Sequence, residues 1–532
     1  MSDHSASIGV RLRPFALSRQ RPPVGLLAAA ALAGLLVLLP LGSMAVQAFD
    51  VGLRSATRLL FRPLVGELLL HTLAISVATA LSCAVIGTAA AWFVERSDLP
   101  GRRLWGVLAV VPLAIPAFIS SYAWVSLSAS LQDFWGALLV VTSAYFPLVY
   151  LPVAAALRGM DPALEETARS LGCGPWQRFY RVVLPQLRPA LLGGMLLVTL
   201  DVMAEFGAFG LLRYRTFTTE IYAEYRTSFN GPGASLLAGV LILLCLICLA
   251  AEMKVRGAAQ YGRIGRGTLR RSARYELREA KPVVFVGFLI LTGTTIGVPL
   301  ATIAYWLTQE GAAAITPAQV SVSALMSSTA ASLSYGLAGA FVTTMLALPL
   351  GFLATHYRGR LVTLLERAAY LAQGVPGIVI ALAIVALAVH GLKPLYQSAV
   401  LLIAAYAILF LPLALVSVRA AFAQAQPRLE ESARALGLSW FETAGRVMLP
   451  LAAPGLGAAG AMVFVSVVTE LTTTLLLAPI GTTTLATQVW VNTSSVAFAA
   501  AAPYAALLVS ISLASSWLLA TLFGRSNVLS SS

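Results

Sequence analysis

The sequence predicts an all-α polytopic membrane protein with about 12 transmembrane helices, arranged as two parallel six-helix repeats. Of its 532 residues, 58% are hydrophobic and only 11% are charged, about half the charged fraction of soluble proteins. Many apolar runs reach the roughly 20 residues that a helix needs to cross a bilayer. A charged motif in the first half of the chain also recurs in the second half, which predicts the repetition.

The spans are predicted to be helices because only helices and closed barrels satisfy backbone polar groups in lipid. The sequence does not alternate over segments of about ten residues, as barrel strands do. The first run is longer than the roughly 7–15 residues of a signal-peptide core, which favours a retained span over a cleaved signal. The predicted spans cover residues 24–47, 68–93, 104–127, 135–157, 190–211, 234–253, 283–306, 329–355, 368–389, 397–418, 455–478 and 498–523.

The charges and the cysteines argue against other classes of protein. A net charge of +14 would suggest nucleic-acid binding in a soluble protein, but here the basic residues lie in loops between spans, a pattern that orients membrane proteins. We therefore expect a lipid bilayer as partner and no nucleic acid. Cys245 and Cys248 have the spacing of a redox or zinc pair. They lie in a continuous apolar run without a second pair, which favours small buried hydrophobes.

A basic linker, residues 254–282, divides the chain near its midpoint. It separates a first permeation half, residues 24–253, from a second half, residues 283–525. Together with the basic N-terminal segment 1–23, the linker predicts that both termini lie in the cytoplasm. Residues 526–532 are expected to form a C-terminal tail.

The stretch LEETARSLGCGPWQRFYRVVLP at 164–185 recurs as LEESARALGLSWFETAGRVMLP at 429–450. Equal numbers of predicted spans precede and follow the linker, so corresponding loops share a side and the repeats are parallel. A constraint common to both halves, such as a shared partner, explains why these loops match while the flanking spans diverge. The residues that recur 265 positions later are Glu165, Glu166, Ala168, Arg169, Leu171, Gly172, Arg181, Val182, Leu184, Pro185 and Pro189.

Each copy predicts a short helix, a turn and a second helix, within loops 159–189 and 420–454. Pro162 suits the first turn of a helix, and the acidic residues after it favour the positive end of the helix dipole. Gly172 is expected to end that helix in the left-handed conformation. The second helix is expected to end near Pro185. An amphipathic surface loop that merely separates spans is the alternative interpretation.

The pattern E-x-A-x-x-L-G followed by R-V-x-L-P resembles the EAA loop of permease subunits in type I ABC importers, and it implies their fold. In that family the helix before the glycine, called the coupling helix, docks on a cytoplasmic ATPase. Thr167 and Ser432 stand where the family usually has a second alanine, and both are small. The residues to which the resemblance assigns ATPase coupling are Glu165, Glu166, Ala168, Gly172, Glu430, Glu431, Ala433 and Gly437.

The chain is not expected to be an enzyme. It contains no G-x-x-x-x-G-K-[S/T] phosphate-binding loop, and the glycine-rich stretch 231–239 lacks the lysine. We therefore expect no cofactor bound by this chain. ATP and magnesium would be used by a separate cytoplasmic ABC ATPase homodimer.

Three carboxylates lie inside predicted spans: Asp201 and Glu205 in the fifth span and Glu470 in its repeat. Carboxylates at this depth are costly and usually face a cavity or a partner, so a substrate pathway is predicted. The alternative is that they pair with polar groups and fix the helices. Glu205 and Glu470 are expected to face each other and to suit a cation better than an anion.

The segment AEFGAFGLLRYRTFTTEIYAEYRTSFNGPGASLLAG at 204–239 resembles ferric-iron permeases, fused proteins with two EAA loops in the bacterial inner membrane. The resemblance implies iron(III) as substrate, with transient contact at Glu205 and Glu470 and no stable metal site. Thiamine or another small solute remains the alternative. The resemblance further implies that TFTTEIY at 216–222 and TLATQVW at 484–490 meet an extracytoplasmic substrate-binding protein. The residues concerned are Thr219, Glu220, Tyr222, Thr487 and Gln488.

An ion-coupled secondary transporter is the competing class. It also has a pseudo-two-fold and a basic central loop, and it would use Glu205 or Glu470 for ion coupling. It would not require the same charged helix–turn–helix in both halves.

Overall fold

A computed structural model describes residues 22–50, 52–256, 274–309, 321–424 and 427–524. These residues form helices and no β-strand, with one β-bridge pairing Ser97 and Tyr275. The predictions for residues 1–21, for the central linker at 257–273 and for the tail lie outside the described residues. The side chains of Glu430 and Glu431 also lie outside what is described.

Within the described ranges, the first half has thirteen α-helices and the second half has twelve. The first half comprises α1 (Val24–Asp50), α2 (Leu53–Leu60), α3 (Pro63–Arg96), α4 (Arg102–Leu108), α5 (Ala117–Leu127), α6 (Phe134–Tyr145), α7 (Pro147–Gly159), α8 (Pro162–Ser170), α9 (Pro175–Arg178), α10 (Leu184–Ala204), α11 (Gly207–Leu211), α12 (Phe217–Arg226) and α13 (Gly231–Arg256). The second half comprises α14 (Lys281–Thr292), α15 (Val298–Leu307), α16 (Val322–His356), α17 (Arg360–Leu371), α18 (Gly377–Gly391), α19 (Ala399–Gln424), α20 (Pro427–Ala435), α21 (Trp440–Thr443), α22 (Leu449–Val468), α23 (Thr472–Leu477), α24 (Leu485–Ser494) and α25 (Phe498–Gly524).

The described part of the chain has nine helices long and apolar enough to cross a membrane, and up to 12 spans if each of three bent helix pairs counts as one. This agrees with the predicted number of spans. Three of the predicted spans correspond to bent pairs of helices. The first pair, α4 and α5, is bent by 90°, and its counterpart, α17 and α18, by 110°. The pair α6 and α7 is bent by 40°.

Prolines at matched positions cause the two sharp breaks. Pro116 and Pro376 cap the second helix of each pair, and the residues before them, Ile115 and Val375, are extended. The ring of a proline disfavours the helical conformation of the preceding residue, so the first helix must end there. Both halves therefore bend at the same place.

The first span of each half packs against the other half. Helix α1 lies against α16, α17 and α18 of the second half, and α15 lies against α5 of the first. Phe288 of α14 joins the core cluster of the first half, with its ring 5.4 Å from that of Trp105. The two halves are thus interlocked, and packing crosses the boundary that the sequence suggests between them.

A third core lies between the halves. It joins Phe118, Ile119 and Tyr122 of α5 to residues of the second half, among them Leu471 and Val489. The Tyr122 hydroxyl donates a hydrogen bond across the interface to the Phe498 carbonyl at 3.0 Å. Leu471 directly follows Glu470, so this interface lies beside one of the carboxylates that the sequence analysis placed on a pathway.

Candidate functional site: coupling loops and transport pathway

The first coupling helix, α8, begins and ends as the sequence predicts. Asp161 caps it by accepting a hydrogen bond from the Ala163 amide at 3.0 Å, and Pro162 occupies the first turn. Gly172 has φ +79°, and the Cys173 amide donates to the Ala168 carbonyl at 3.0 Å. These are the features of a Schellman C-cap, which satisfies carbonyls at the helix end and favours glycine at the left-handed position.

The second coupling helix, α20, ends in the same way. Gly437 has φ +87°, and the Leu438 amide donates to the Ala433 carbonyl at 3.2 Å. Among the described residues, none has an atom within 4 Å of where a Cβ would lie on either glycine, so the backbone conformation alone requires glycine. The two loops therefore present the same turn.

The prediction that the second helix of the loop ends near Pro185 is wrong. Helix α9 passes through a π-turn, Phe179–Val183, directly into α10. The second half repeats this π-turn at Ala444–Met448. Pro185 lies in the first turn of α10, where the wider π-turn before it accommodates the missing amide hydrogen. Each coupling helix is consequently joined through one continuous segment to the fifth span of its half.

The two adjacent glutamates of α8 face opposite ways. Glu165 is buried, and its Oε2 accepts a hydrogen bond from Arg96 Nη1 at 3.1 Å. Ala168, one turn later, is buried on the same face, whereas Glu166 and Gly172 are exposed. Glu165 and Ala168 therefore hold α8 against the bundle, and Glu166 is available to a partner. In α20, Ala433 is buried and Gly437 is exposed in the same pattern.

Exposed apolar side chains mark both loops, and the sequence analysis did not select them. Leu171 and Leu436 occupy the same repeat position and are 77% and 85% exposed. Trp176 is 73% exposed beside the first of them. Exposed apolar groups rimmed by polar residues are typical of interaction sites. The sequence signal that could have identified these residues is an apolar residue that recurs at a helix end. A side chain at a helix end has few buried neighbours to pack against.

The fifth span of each half breaks at its glutamate, which corrects the prediction of a continuous span at 190–211. Helix α10 ends at Ala204, and Glu205 Oε1 accepts a hydrogen bond from the Ala208 amide at 2.8 Å. In the second half, Glu470 Oε1 accepts from the Thr473 amide at 2.8 Å. A carboxylate at this position caps the short helix that follows and complements its dipole. Both glutamates thus stabilise a broken helix.

The carboxylates also lie near one another. Glu205 and Glu470 are close enough to interact electrostatically, and Asp201 interacts with Glu205 one turn along the same helix face. The Tyr145 hydroxyl donates to Glu205 Oε2 at 2.5 Å. In the described part of the chain, no group of three or more His, Cys, Asp or Glu side chains is placed to hold a metal ion. Glu205 therefore lies within electrostatic range of both other carboxylates predicted for the pathway, but the three do not form a metal-binding cluster in the described part of the chain.

The short helices after the glutamates close the space between the halves. A Cβ on Gly207 of α11 would lie 2.8 Å from Leu471 Cδ2 and 2.8 Å from Phe118 Cβ. A Cβ on Gly210 would overlap the Trp490 ring. Only glycine permits this close approach, so the halves are in direct contact at this level.

The residues predicted to face a binding protein are engaged in the fold to different degrees. Thr219 and Thr487 belong to capping boxes at the starts of α12 and α24, and Thr487 is buried. Tyr222 packs on the Phe206 ring with centroids 4.6 Å apart. Recognising the repeated T-x-x-T pattern as a capping box would have indicated this local role. The remaining two, Glu220 and Gln488, are half-buried.

The sequence pattern of one family, described as the binding-protein-dependent transport system inner membrane component, matches residues 84–254 and 347–526. The chain belongs to this family. It is a multi-pass inner-membrane permease subunit of an ATP-driven importer, which confirms the resemblance drawn from the EAA loops. One match falls in each half, as the two-repeat fold requires. The competing class of ion-coupled secondary transporters is not supported.

Individual permeases of known systems are also similar to this chain. The Fe(3+)-transport system permease protein FbpB 2 of Haemophilus influenzae is 37% identical over 495 residues, which cover 92% of this chain and 96% of that protein. The sulfate transport system permease protein CysT of Escherichia coli is 30% identical over 40% of this chain and 85% of its own length. The molybdenum transport system permease protein ModB of Escherichia coli is 28% identical over 30% of this chain. The iron permease matches both halves of this chain, whereas the sulfate and molybdenum permeases are about half as long as this chain.

Proposed function

We propose that this permease imports iron(III), delivered by a substrate-binding protein and driven by an ATPase homodimer that docks on α8 and α20. Both termini and the linker then lie in the cytoplasm, as the distribution of basic residues indicates. The observation that carries the iron proposal is the similarity, through both halves, to a permease named for Fe(3+) transport.

The geometry of the pathway supports a cationic substrate. Glu205 and Glu470, one from each half, lie near each other at the breaks of the fifth spans. Carboxylate oxygens suit a hard cation, whereas two such groups repel an oxyanion such as sulfate. We expect the ion to make transient contact with these carboxylates as it passes, without a stable metal site. Asp201 adds a third carboxylate one turn from Glu205 on α10.

The structure also supports alternating access. Docking of the ATPase dimer would press on Glu166, Leu171 and their counterparts in the second half. Each coupling helix is followed, after its glycine turn, by a segment that continues through a π-turn into the fifth span, so its displacement reaches the broken helix that carries the glutamate. Separation of α11 from Leu471 would open the contact between the halves. ATP hydrolysis on the partner would then return them to contact.

The iron proposal is tested by uptake of radioactive ferric iron into proteoliposomes that contain the permease, its ATPase and its binding protein. In the double variant Glu205→Gln with Glu470→Gln, iron uptake should fall about tenfold. This is the effect expected when one charge-assisted interaction with the ion is lost. Glutamine keeps an oxygen that can accept the capping hydrogen bonds, so the short helices should persist. The matched control is Glu67→Gln, which removes a carboxylate from an exposed position outside both the pathway and the coupling loops.

Two results would contradict the proposal. Uptake at the wild-type rate in the double variant would limit the glutamates to their capping role. Saturable ATP-driven uptake of thiamine or sulfate, with none of iron, would reject the substrate while leaving the importer intact.

A further inference from the structure

We propose that Tyr275 is a positioning residue for ATP coupling, and that linker residues 274–281 act as a strap between the first coupling helix and the first span of the second half. The inference rests on the proposed docking of an ATPase on α8. It assigns a mechanical role to a segment that the sequence analysis treated only as a basic linker.

The strap is fixed to the turn that follows α3 through its backbone. The Tyr275 amide donates to the Arg96 carbonyl at 2.8 Å, and the Asp98 amide donates to the Tyr275 carbonyl at 3.2 Å. Farther along, Asp98 Oδ1 accepts from the Leu277 amide at 2.9 Å. Lys281 Nζ lies 2.6 Å from Asp98 Oδ2. The segment is thus attached at both of its ends.

The Tyr275 side chain joins the strap to the coupling helix. Its hydroxyl donates to Glu165 Oε1, while Arg96 Nη1 donates to Oε2 of the same carboxylate. One oxygen of Glu165 is therefore held by the second span and the other by the linker. Burial, and the hydrogen bond to Glu165, raise the pKa of Tyr275 to about 12, so the hydroxyl remains a donor at physiological pH.

The Tyr275 ring is itself held by the first half. The guanidinium carbon of Arg178, in α9, lies 5.5 Å from the ring centroid, a distance typical of a cation–π contact. The Trp92 ring centroid, on α3, is also 5.5 Å away. Tyr275 thereby contacts the second span, the coupling helix and the segment that leads to the fifth span.

The strap leads directly into the second half. Helix α14 begins at Lys281, the residue that pairs with Asp98. Its continuation, α15, packs against α5 at the interface between the halves. A displacement of α8 is therefore passed through Glu165 and Tyr275 to a span of the opposite half, in addition to the route along its own chain.

The test compares wild type with Tyr275→Phe in the complete complex of permease, ATPase and binding protein. Uptake of ferric iron and ATP hydrolysis are measured in the same proteoliposomes. We expect the uptake per ATP hydrolysed to fall at least about fivefold, the lower range of coupling between two sites, while hydrolysis continues. A merely structural role would lower both rates together and leave their ratio unchanged, which would overturn the proposal.

A second measurement does not depend on the substrate. Hydrogen–deuterium exchange in the first turn of α14 should respond to ATP with vanadate in the wild-type complex and not in Tyr275→Phe. An equal response in both would overturn the strap, whereas absent iron uptake by the wild type would overturn only the proposed substrate. Tyr180→Phe is the matched control, since Tyr180 is exposed in the coupling loop that Tyr275 contacts, and its hydroxyl has no hydrogen bond to any residue that the structure describes.

Discussion

Replacing Gly172 by valine isolates the contribution of the coupling-helix turn. Gly172 adopts φ +79°, and no atom of the residues that the structure describes lies within 4 Å of a Cβ built at this position. The new side chain therefore meets no neighbour, and the whole effect comes from the backbone. Gly159→Val is the matched control, because Gly159 ends α7 in the same loop, has no positive φ and also has open space around it.

The magnitude follows from the conformation. A residue with a Cβ pays about 1–2 kcal/mol to adopt the left-handed region, and a β-branched side chain is among the least tolerated there. A cost of this size lowers the population of the correctly ended helix about 5–30-fold. If the helix instead ends elsewhere, it loses the capping bonds from Gly172 and Cys173, both 3.0 Å long. Either way, Glu166 and Leu171 are displaced from their docking positions.

The assay is the ratio of iron uptake to ATP hydrolysis in proteoliposomes. Gly172→Val should lower this ratio, as should Gly437→Val in the second half, where Gly359→Val, at a loop glycine with extended backbone, is the control. Gly172→Asn should recover part of the coupling, because asparagine tolerates the left-handed conformation better than valine. Equal ratios for Gly172→Val and Gly159→Val would refute the reasoning, since they would show that the turn conformation does not matter.

Two further predictions concern the buried pair and the closed contact between the halves. Glu165→Gln leaves the buried charge of Arg96 unpaired and should destabilise the permease by about 3 kcal/mol. The loss is measured as a lower thermal unfolding temperature in detergent. Glu166→Gln should leave the unfolding temperature unchanged, and less ATPase should co-purify with this variant. The reverse assignment of the two effects would contradict the orientation of α8. Gly207→Ala should lower the stability of the permease by about 1–3 kcal/mol through overpacking. Adding Leu471→Ala to the same chain should restore part of the unfolding temperature. No recovery would mean that the strain does not come from the contact with Leu471.

The coupling loops were largely predictable because their signals are local. Pro162 at the start of α8 and Gly172 at its end depend on hydrogen bonds between residues a few positions apart, and these appear in the sequence as residue types at fixed spacing. Their recurrence in the second half identified the repeat, and the comparison with known permeases confirmed the family. The breaks at Pro116 and Pro376 carried a local signal as well, because a proline disfavours the helical conformation of the residue before it.

By itself, the sequence determined the helical membrane class, the two-fold repeat, the turn at each coupling glycine and the three carboxylates within the spans. Only the tertiary structure decided that Glu165 faces Arg96 and Tyr275 while Glu166 faces outward, because those partners lie 69 and 110 residues away along the chain. It alone decided that Glu205 and Glu470 end their helices as caps and that the first spans are exchanged between the halves. The physical reason is that helix starts and ends depend on neighbouring backbone groups. The direction in which a charged side chain points depends instead on which distant helix supplies its hydrogen-bond or ion-pair partner.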